Sequence, residues 1–141
     1  MKISPILKSG IFYYLNGILL YMSEKTVFKK IIDGEIPCHK VYEDDNFLVF
    51  LDINPEAPGH TLIIPKEEVV WVWDVPLYDE YWQLTRKIAK ALQSAFGTEM
   101  IICKIFGEEV PHAHIKLFPA IPKDGTEKDF EMIAEKIKKA L

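Results

Sequence analysis

From Val27 onward, short apolar runs are repeatedly cut by turn residues, and a helical period is sustained at length only twice. That pattern narrows the available folds more than any other feature. Lys40-Val41-Tyr42-Glu43, the turn Asp44-Asp45-Asn46 and Phe47 to Leu51 read as a β-hairpin. Asn54-Pro55 and Pro58-Gly59 mark a loop ahead of a strand from Thr61 to Ile64. Two more strands are expected from Met100 to Phe106 and from His112 to Phe118, around the loop Gly107-Glu108-Glu109. Tyr78 to Phe96 sets Tyr81, Leu84, Ile88, Leu92 and Ala95 on one helical stripe, which Gly97 ends. Thr126 is placed to cap a last helix with Phe130, Ile133, Ile137 and Leu141 on its apolar stripe. Val27 to Ile32 reads as a short helix stopped by Asp33-Gly34. Strands joined as hairpins, with helices set apart from them, predict an α+β domain. Its parts are an antiparallel five-stranded sheet, a long helix and a C-terminal helix.

A chain of 141 residues, 49% hydrophobic and 27% charged, is one domain with enough apolar material for a core. With 17 basic and 21 acidic residues the net charge is −4, and no run of Lys or Arg exceeds two. Binding to nucleic acid through its phosphates is therefore not expected. A single small nucleotide needs only a few donors and stays open. Cys38 and Cys103 stand far apart with no Cys-x-x-Cys pair, which points to a reducing, cytoplasmic setting and no sulfur-based zinc site.

The leading segment is the compositional exception. Lys2 and Lys8 precede an apolar, aromatic run from Ile11 to Tyr21, interrupted at Asn16 and Gly17. A membrane-spanning helix needs about 20 apolar residues, so the run is too short to span. The junction Leu20-Tyr21-Met22-Ser23 lacks the small residues of a signal cleavage site. We expect residues 1–21 to be an extension, either docked or upstream of a true start at Met22, and residues 22–141 to form the single domain.

Chemistry concentrates in Pro111-His112-Ala113-His114-Ile115-Lys116-Leu117-Phe118-Pro119. In a strand, alternate residues share a face, so His112, His114 and Lys116 are expected on one surface and Ala113, Ile115 and Leu117 on the other. Three cationic or titratable groups at that spacing repel one another when charged, and an anion such as a phosphate would relieve the repulsion. Two histidines at i and i+2 are also a metal-ligand pattern, and a solvated polar strand face is the plainest alternative. His60, in Pro58-Gly59-His60-Thr61, sits at a glycine turn feeding an apolar strand; by itself it reads first as a surface loop residue.

Five segments in order resemble the histidine triad (HIT) nucleotide-binding family, and the resemblance covers nearly everything after Val27. They are Phe28 to Pro37, Tyr42 to Asp45, Phe50 to Pro55, Ala57 to Lys66, and Val110-Pro111-His112-Ala113-His114-Ile115. The family motif is His-φ-His-φ-His-φ-φ, with φ apolar. The resemblance implies that His112 is its first histidine and His114 its second, the nucleophile, and that Lys116 replaces the third. It further implies attack by His114 on the α-phosphorus of a nucleotide conjugate, and hydrolysis of the resulting nucleotidyl-histidine by water. Neutral imidazole is a competent nucleophile near neutral pH, in keeping with that role. His112, His60, Lys116 and the loop amides around Gly107 would supply donors to the phosphoryl oxygens. By the same resemblance, Ile36, Phe50 and Ile53 sandwich the base with Phe28 and Val110 nearby, and Asp52 accepts hydrogen bonds from the ribose.

The implied ligand is a purine nucleotide (AMP- or GMP-like), with no cofactor, no nucleic acid and no membrane as partner, and the implied assembly is a homodimer. Trp71, Trp73 and Trp82 suit an interface or the core alike. Three departures from the family pattern matter. Lysine at position 116, with an ordinary pKa near 10.4, is a poor acid–base shuttle at neutral pH. That leaves a nucleotidyl transferase, or a binding module with weak hydrolysis, as the alternative. Thr26 and Lys29 stand where zinc-binding members carry cysteines, and Glu67-Glu68 replaces their histidine after Pro65-Lys66, so no metal is expected. Glu109 stands where many members place a serine; its carboxylate would repel the substrate unless it points away or pairs with Lys116. On residue types alone, a metal-dependent hydrolase using His60, His112 and His114 remains a further alternative, which Lys116 disfavours by repelling a cation.

Overall fold

The computed structural model describes residues 10–15, 18–105, 107 and 109–141, with side chains described from Glu24 onward. Residues 1–9, Asn16, Gly17, Phe106 and Glu108 lie outside the described residues, as do the side chains of the leading apolar run. Within that run, β1 (Gly10–Leu15) and β2 (Ile18–Ser23) pair antiparallel as a two-stranded sheet of their own. Among the described residues, no helix is long and apolar enough to cross a membrane.

The main sheet follows from the hairpin pattern. Strands β3 (Lys40–Glu43), β4 (Phe47–Leu51), β5 (Thr61–Pro65), β6 (Ile101–Lys104) and β7 (Ile115–Pro119) form one antiparallel sheet in the order β3-β4-β5-β7-β6. Asp44 makes the first turn: its Oδ1 accepts the backbone N–H of Asn46 and of Phe47, each at 2.8 Å. The central strands β4 and β5 are buried at every residue, which is why they read as continuous apolar runs instead of alternating ones.

Each face of the sheet is covered differently. Val49, Ile63, Ile115 and Leu117 face α2 (Tyr78–Phe96) and α3 (Phe130–Ala140), which contribute Tyr81, Ile88, Leu92, Ile133 and Ile137 to the larger core. The Tyr81 hydroxyl donates to the Ile63 carbonyl beneath it. On the opposite face, among the described residues, Leu48, Phe50, Leu62 and Ile64 cluster with Phe28 of α1 (Val27–Ile32) and a few partly buried neighbours. That half-covered face holds the cavity described below.

Three expectations need correction. The strand expected from His112 begins at Ile115. Pairing between β5 and β7 ends at Ile63 with Ile115, and the preceding backbone bonds elsewhere: the His112 N–H donates to the Val110 carbonyl at 2.8 Å and the Ala113 N–H to the Val69 carbonyl at 2.6 Å. The strand expected from Met100 to Phe106 runs only from Ile101 to Lys104, with Phe106 outside the described residues. The last helix starts at Phe130 after Asp129, not after Thr126. Thr126 is held in a turn instead, its hydroxyl 2.6 Å from Asp124 Oδ1 and its carbonyl accepting the Asp129 N–H at 2.9 Å. The apolar stripe of that helix buries Ile133, Ala134 and Ile137, while Leu141 is exposed.

Candidate active site

Strand register assembles the site. Phe50 of β4, Leu62 of β5, Lys116 of β7 and Lys104 of β6 form one row across the sheet on the α1 side. Continuing the register, Asp52, His60 and Phe118 form the next row at the strand ends; the Asp52 N–H donates to the His60 carbonyl at 2.9 Å, and the His60 and Phe118 ring centroids are 5.0 Å apart. Against these rows lies a cavity of about 390 Å³. Phe28, Ile36, Phe50, Ile53 and Val110 make its apolar part, and Asp52, Glu109, His114 and Lys116 its polar part. Among the residues expected at the site, His60, His112 and Gly107 do not line this cavity.

His114 is buried and edge-on to Phe28, with ring centroids 5.0 Å apart and planes at 74°. Its Nδ1 lies 2.8 Å from the His112 carbonyl oxygen. A carbonyl only accepts, so Nδ1 carries the hydrogen and Nε2 of the neutral ring presents a lone pair. The His112 carbonyl thus fixes the tautomer of this ring from behind. Phe28 also meets the His112 ring, with centroids 6.1 Å apart and planes at 89°.

His112 is committed elsewhere. Its Nε2–H donates to the Pro65 carbonyl at 2.7 Å, and the ring is fully buried. Burial pushes its pKa below the ordinary histidine value, partly opposed by that hydrogen bond. Its side chain therefore pins the segment ahead of β7 to the end of β5, and its backbone carbonyl orients His114.

His60 is organised by a residue that pattern reading missed. Its Nδ1 accepts the Glu56 backbone N–H at 3.0 Å, so the neutral ring carries its hydrogen on Nε2. That nitrogen is buried, has no hydrogen-bond partner among the described residues, and faces Asp52 Oδ2 at 3.6 Å, beyond hydrogen-bond reach. Burial lowers the His60 pKa despite the nearby carboxylates of Asp52 and Glu56. Asp52 itself is oriented by the Asn54 N–H, which donates to Oδ1 at 2.8 Å.

The basic end has two ion pairs. Lys116 Nζ donates to Glu109 Oε1 at 2.7 Å, and Glu109 Oε2 lies 3.5 Å from His114 Nε2. Lys104 Nζ binds Glu56 Oε2 at 2.9 Å and stands 5.2 Å from the centre of the Phe118 ring. Lys104 also went unread; the cue available in sequence was its place on a strand that must pair with the one carrying Lys116. Gly107 has φ +80, and a Cβ there would come within 2.8 Å of the Trp71 ring, so that indole and the loop before β7 meet at a glycine. Among the described residues, no group of three or more His, Cys, Asp or Glu side chains is arranged to hold a metal ion.

Comparison with known proteins agrees on one family. Residues 33–122 match the HIT domain. The chain is 41% identical over 108 residues to an uncharacterized HIT-like protein of Borreliella burgdorferi, covering 70% of this chain and 78% of that one. It is 36% identical over 111 residues to the protein named hit of Bacillus subtilis, covering 74% and 77%. Among solved structures, a Hit-like protein from Bartonella henselae, described as involved in cell-cycle regulation, superposes with a TM-score of 0.72 at 37% identity. That match covers 82% of this chain and 96% of the other.

Proposed function

Because this chain belongs to the HIT domain family, we propose that it binds a purine nucleoside 5′-phosphoryl conjugate, AMP- or GMP-like, and hydrolyses it through a nucleotidyl-histidine. The observation that carries this reading is the His114 ring, with its Nδ1–H held by the His112 carbonyl and its Nε2 turned toward a cavity that also holds Lys116. In this reading the base rests between Phe50, Ile36 and Ile53, with Phe28 and Val110 beside it, and Asp52 receives the ribose hydroxyls. The Nε2 lone pair forms a bond to phosphorus as the bond from phosphorus to the leaving amine breaks. The amine departs with the electron pair and takes a proton from water. A second water then forms a P–O bond, the P–Nε2 bond breaks, and the neutral ring is restored as AMP and a proton are released.

Lys116, at the place of the family's third histidine, balances charge on the phosphoryl oxygens in this reading. His60 and Gly107 do not line the cavity, and this reading gives them no direct contact with the phosphoryl group. The reaction requires no cofactor or metal. A nucleotidyl transferase, or a nucleotide-binding module with weak hydrolysis, is the second reading, and the lysine at position 116 favours it. We also propose a homodimer, since Trp71 and Trp73 are exposed and the β6 edge of the main sheet has no partner strand among the described residues. The free thiols of Cys38 and Cys103 support a cytoplasmic setting.

Steady-state hydrolysis of adenosine 5′-phosphoramidate separates the readings. His114→Ala should lower kcat by about 10³-fold or more while AMP still binds. Native turnover that survives in His114→Ala would remove this mechanism. Binding without turnover in the native protein, restored by Lys116→His, would favour the second reading.

A further inference from the structure

Glu109 is the feature that this mechanism leaves unused. It projects from the loop before β7, half-exposed, and its two oxygens face the two groups that the reaction requires. Oε1 accepts from Lys116 Nζ at 2.7 Å, and Oε2 stands 3.5 Å from His114 Nε2. The hydrogen bond from Lys116 holds its carboxyl below the usual carboxylate range, so it is an anion at neutral pH. A carboxylate straddling an ammonium and an imidazole nitrogen is disposed much as two oxygens of a phosphoryl group would be. A phosphorus under attack must approach Nε2 to about 3–3.5 Å, the space that the carboxylate now fills. The two anions exclude each other.

We propose that Glu109 is a charge-specificity residue, a tethered anion that competes with the phosphoryl group for the subsite formed by Lys116 and His114. This rests on the nucleotide reading above and deepens it. A phosphoramidate or phosphodiester centre carries one negative charge and replaces the carboxylate charge for charge. AMP carries nearly two at pH 7.5, because its second ionisation falls near pH 6. The displaced Glu109 stays tethered at the rim, with Asp52 on the cavity wall, and repels the second charge. Lys104 in the next strand does not offset it, being paired with Glu56. Glu109 thereby admits the singly charged substrate and sheds the doubly charged product.

The test is calorimetric titration at pH 7.5 of AMP and of its singly charged 5′-methyl ester against the native protein, Glu109→Gln and Glu109→Ser. Glu109→Gln keeps the size of the side chain and one oxygen to accept from Lys116 while removing the charge, and Glu109→Ser is a second, smaller replacement. Both substitutions should tighten AMP by about tenfold or more and the methyl ester by about threefold or less, so that the ratio of affinities shifts toward AMP. Equal tightening of the two ligands, or no change in either, overturns the proposal while leaving nucleotide binding intact. If neither ligand binds the native protein or either variant, the nucleotide reading itself fails, and this inference with it.

Discussion

At the scale of single residues, the site depends on what each histidine does with its second nitrogen. His114 spends Nδ1 on a carbonyl and leaves Nε2 toward Glu109, His112 spends Nε2 on Pro65, and His60 accepts a backbone N–H at Nδ1. Burial holds the pKa of both His60 and His112 below the ordinary value. The folded protein therefore binds fewer protons than the unfolded chain, whose histidines titrate near about 6.5. Stability from these two residues is fully present above that pH and is lost as pH falls through it toward the depressed folded values. The urea midpoint should hold from pH 8 to 7 and fall between about pH 6.5 and 5, before the carboxylates titrate near about 4. His112→Gln should flatten part of that slope. A midpoint that rises on acidification would contradict the assignment. Residue types were legible at this scale, because histidine, lysine and aspartate stand out in a sequence. Which nitrogen faces which carbonyl was not, since Pro65 and Glu56 take part through their backbones and any residue supplies a backbone.

The elements set the distances between those residues. The ends of β4 and β5 bring Asp52 beside His60, and Gly59 makes the turn into β5 with φ +86. A Cβ at Gly59 would meet Phe96 at the end of α2 at 2.6 Å, whereas one at Gly97 would meet nothing within 4 Å. Both glycines have positive φ, so Gly97→Ala should cost about 1 kcal/mol from backbone conformation alone. Gly59→Ala adds a clash and should cost about 2–3 kcal/mol, measured by denaturant unfolding. It should also weaken AMP binding, because it displaces His60, and Gly97→Ala should not. Equal effects on stability and binding would mean that the turn does not position the site. The hairpin β3–β4, strand β5 and helix α2 were readable because turn residues and apolar period agree there. The stretch from His112 to His114 reads as strand because its polar–apolar alternation runs on into that of β7. Its backbone bonds to Val69 instead of to a neighbouring strand.

For the molecule as a whole, the sheet separates stability from chemistry. One face is sealed by α2 and α3, the other is only partly closed by α1, and the cavity occupies what α1 leaves open. Ile88, fully buried on the sealed face, should cost about 2–5 kcal/mol when changed to Ala. AMP affinity below the new unfolding midpoint should change less than about threefold, since the sheet intervenes. A large loss of affinity in the folded variant would show that the two faces are coupled. We also propose that the domain begins after residue 21. The match to the HIT domain begins at residue 33, and among the described residues β1 and β2 pair only with each other. A chain lacking residues 1–21 should then keep its unfolding midpoint and AMP affinity, and a clear drop in either would extend the domain into that segment.

Local pattern and residue chemistry by themselves determined the α+β class, the antiparallel strands and the long helix, because period and turn residues act over neighbouring positions. They also singled out His112, His114, Lys116 and His60 as candidates, while Asp52 entered through the resemblance to the HIT family. The tertiary structure alone decided that Glu109 lies against both Lys116 and His114, that His112 works from outside the cavity, and that the Asp52 and His60 turns meet. Those relations join residues from different strands and loops, and they depend on pairing register and backbone carbonyls, which leave no mark in the order of side chains.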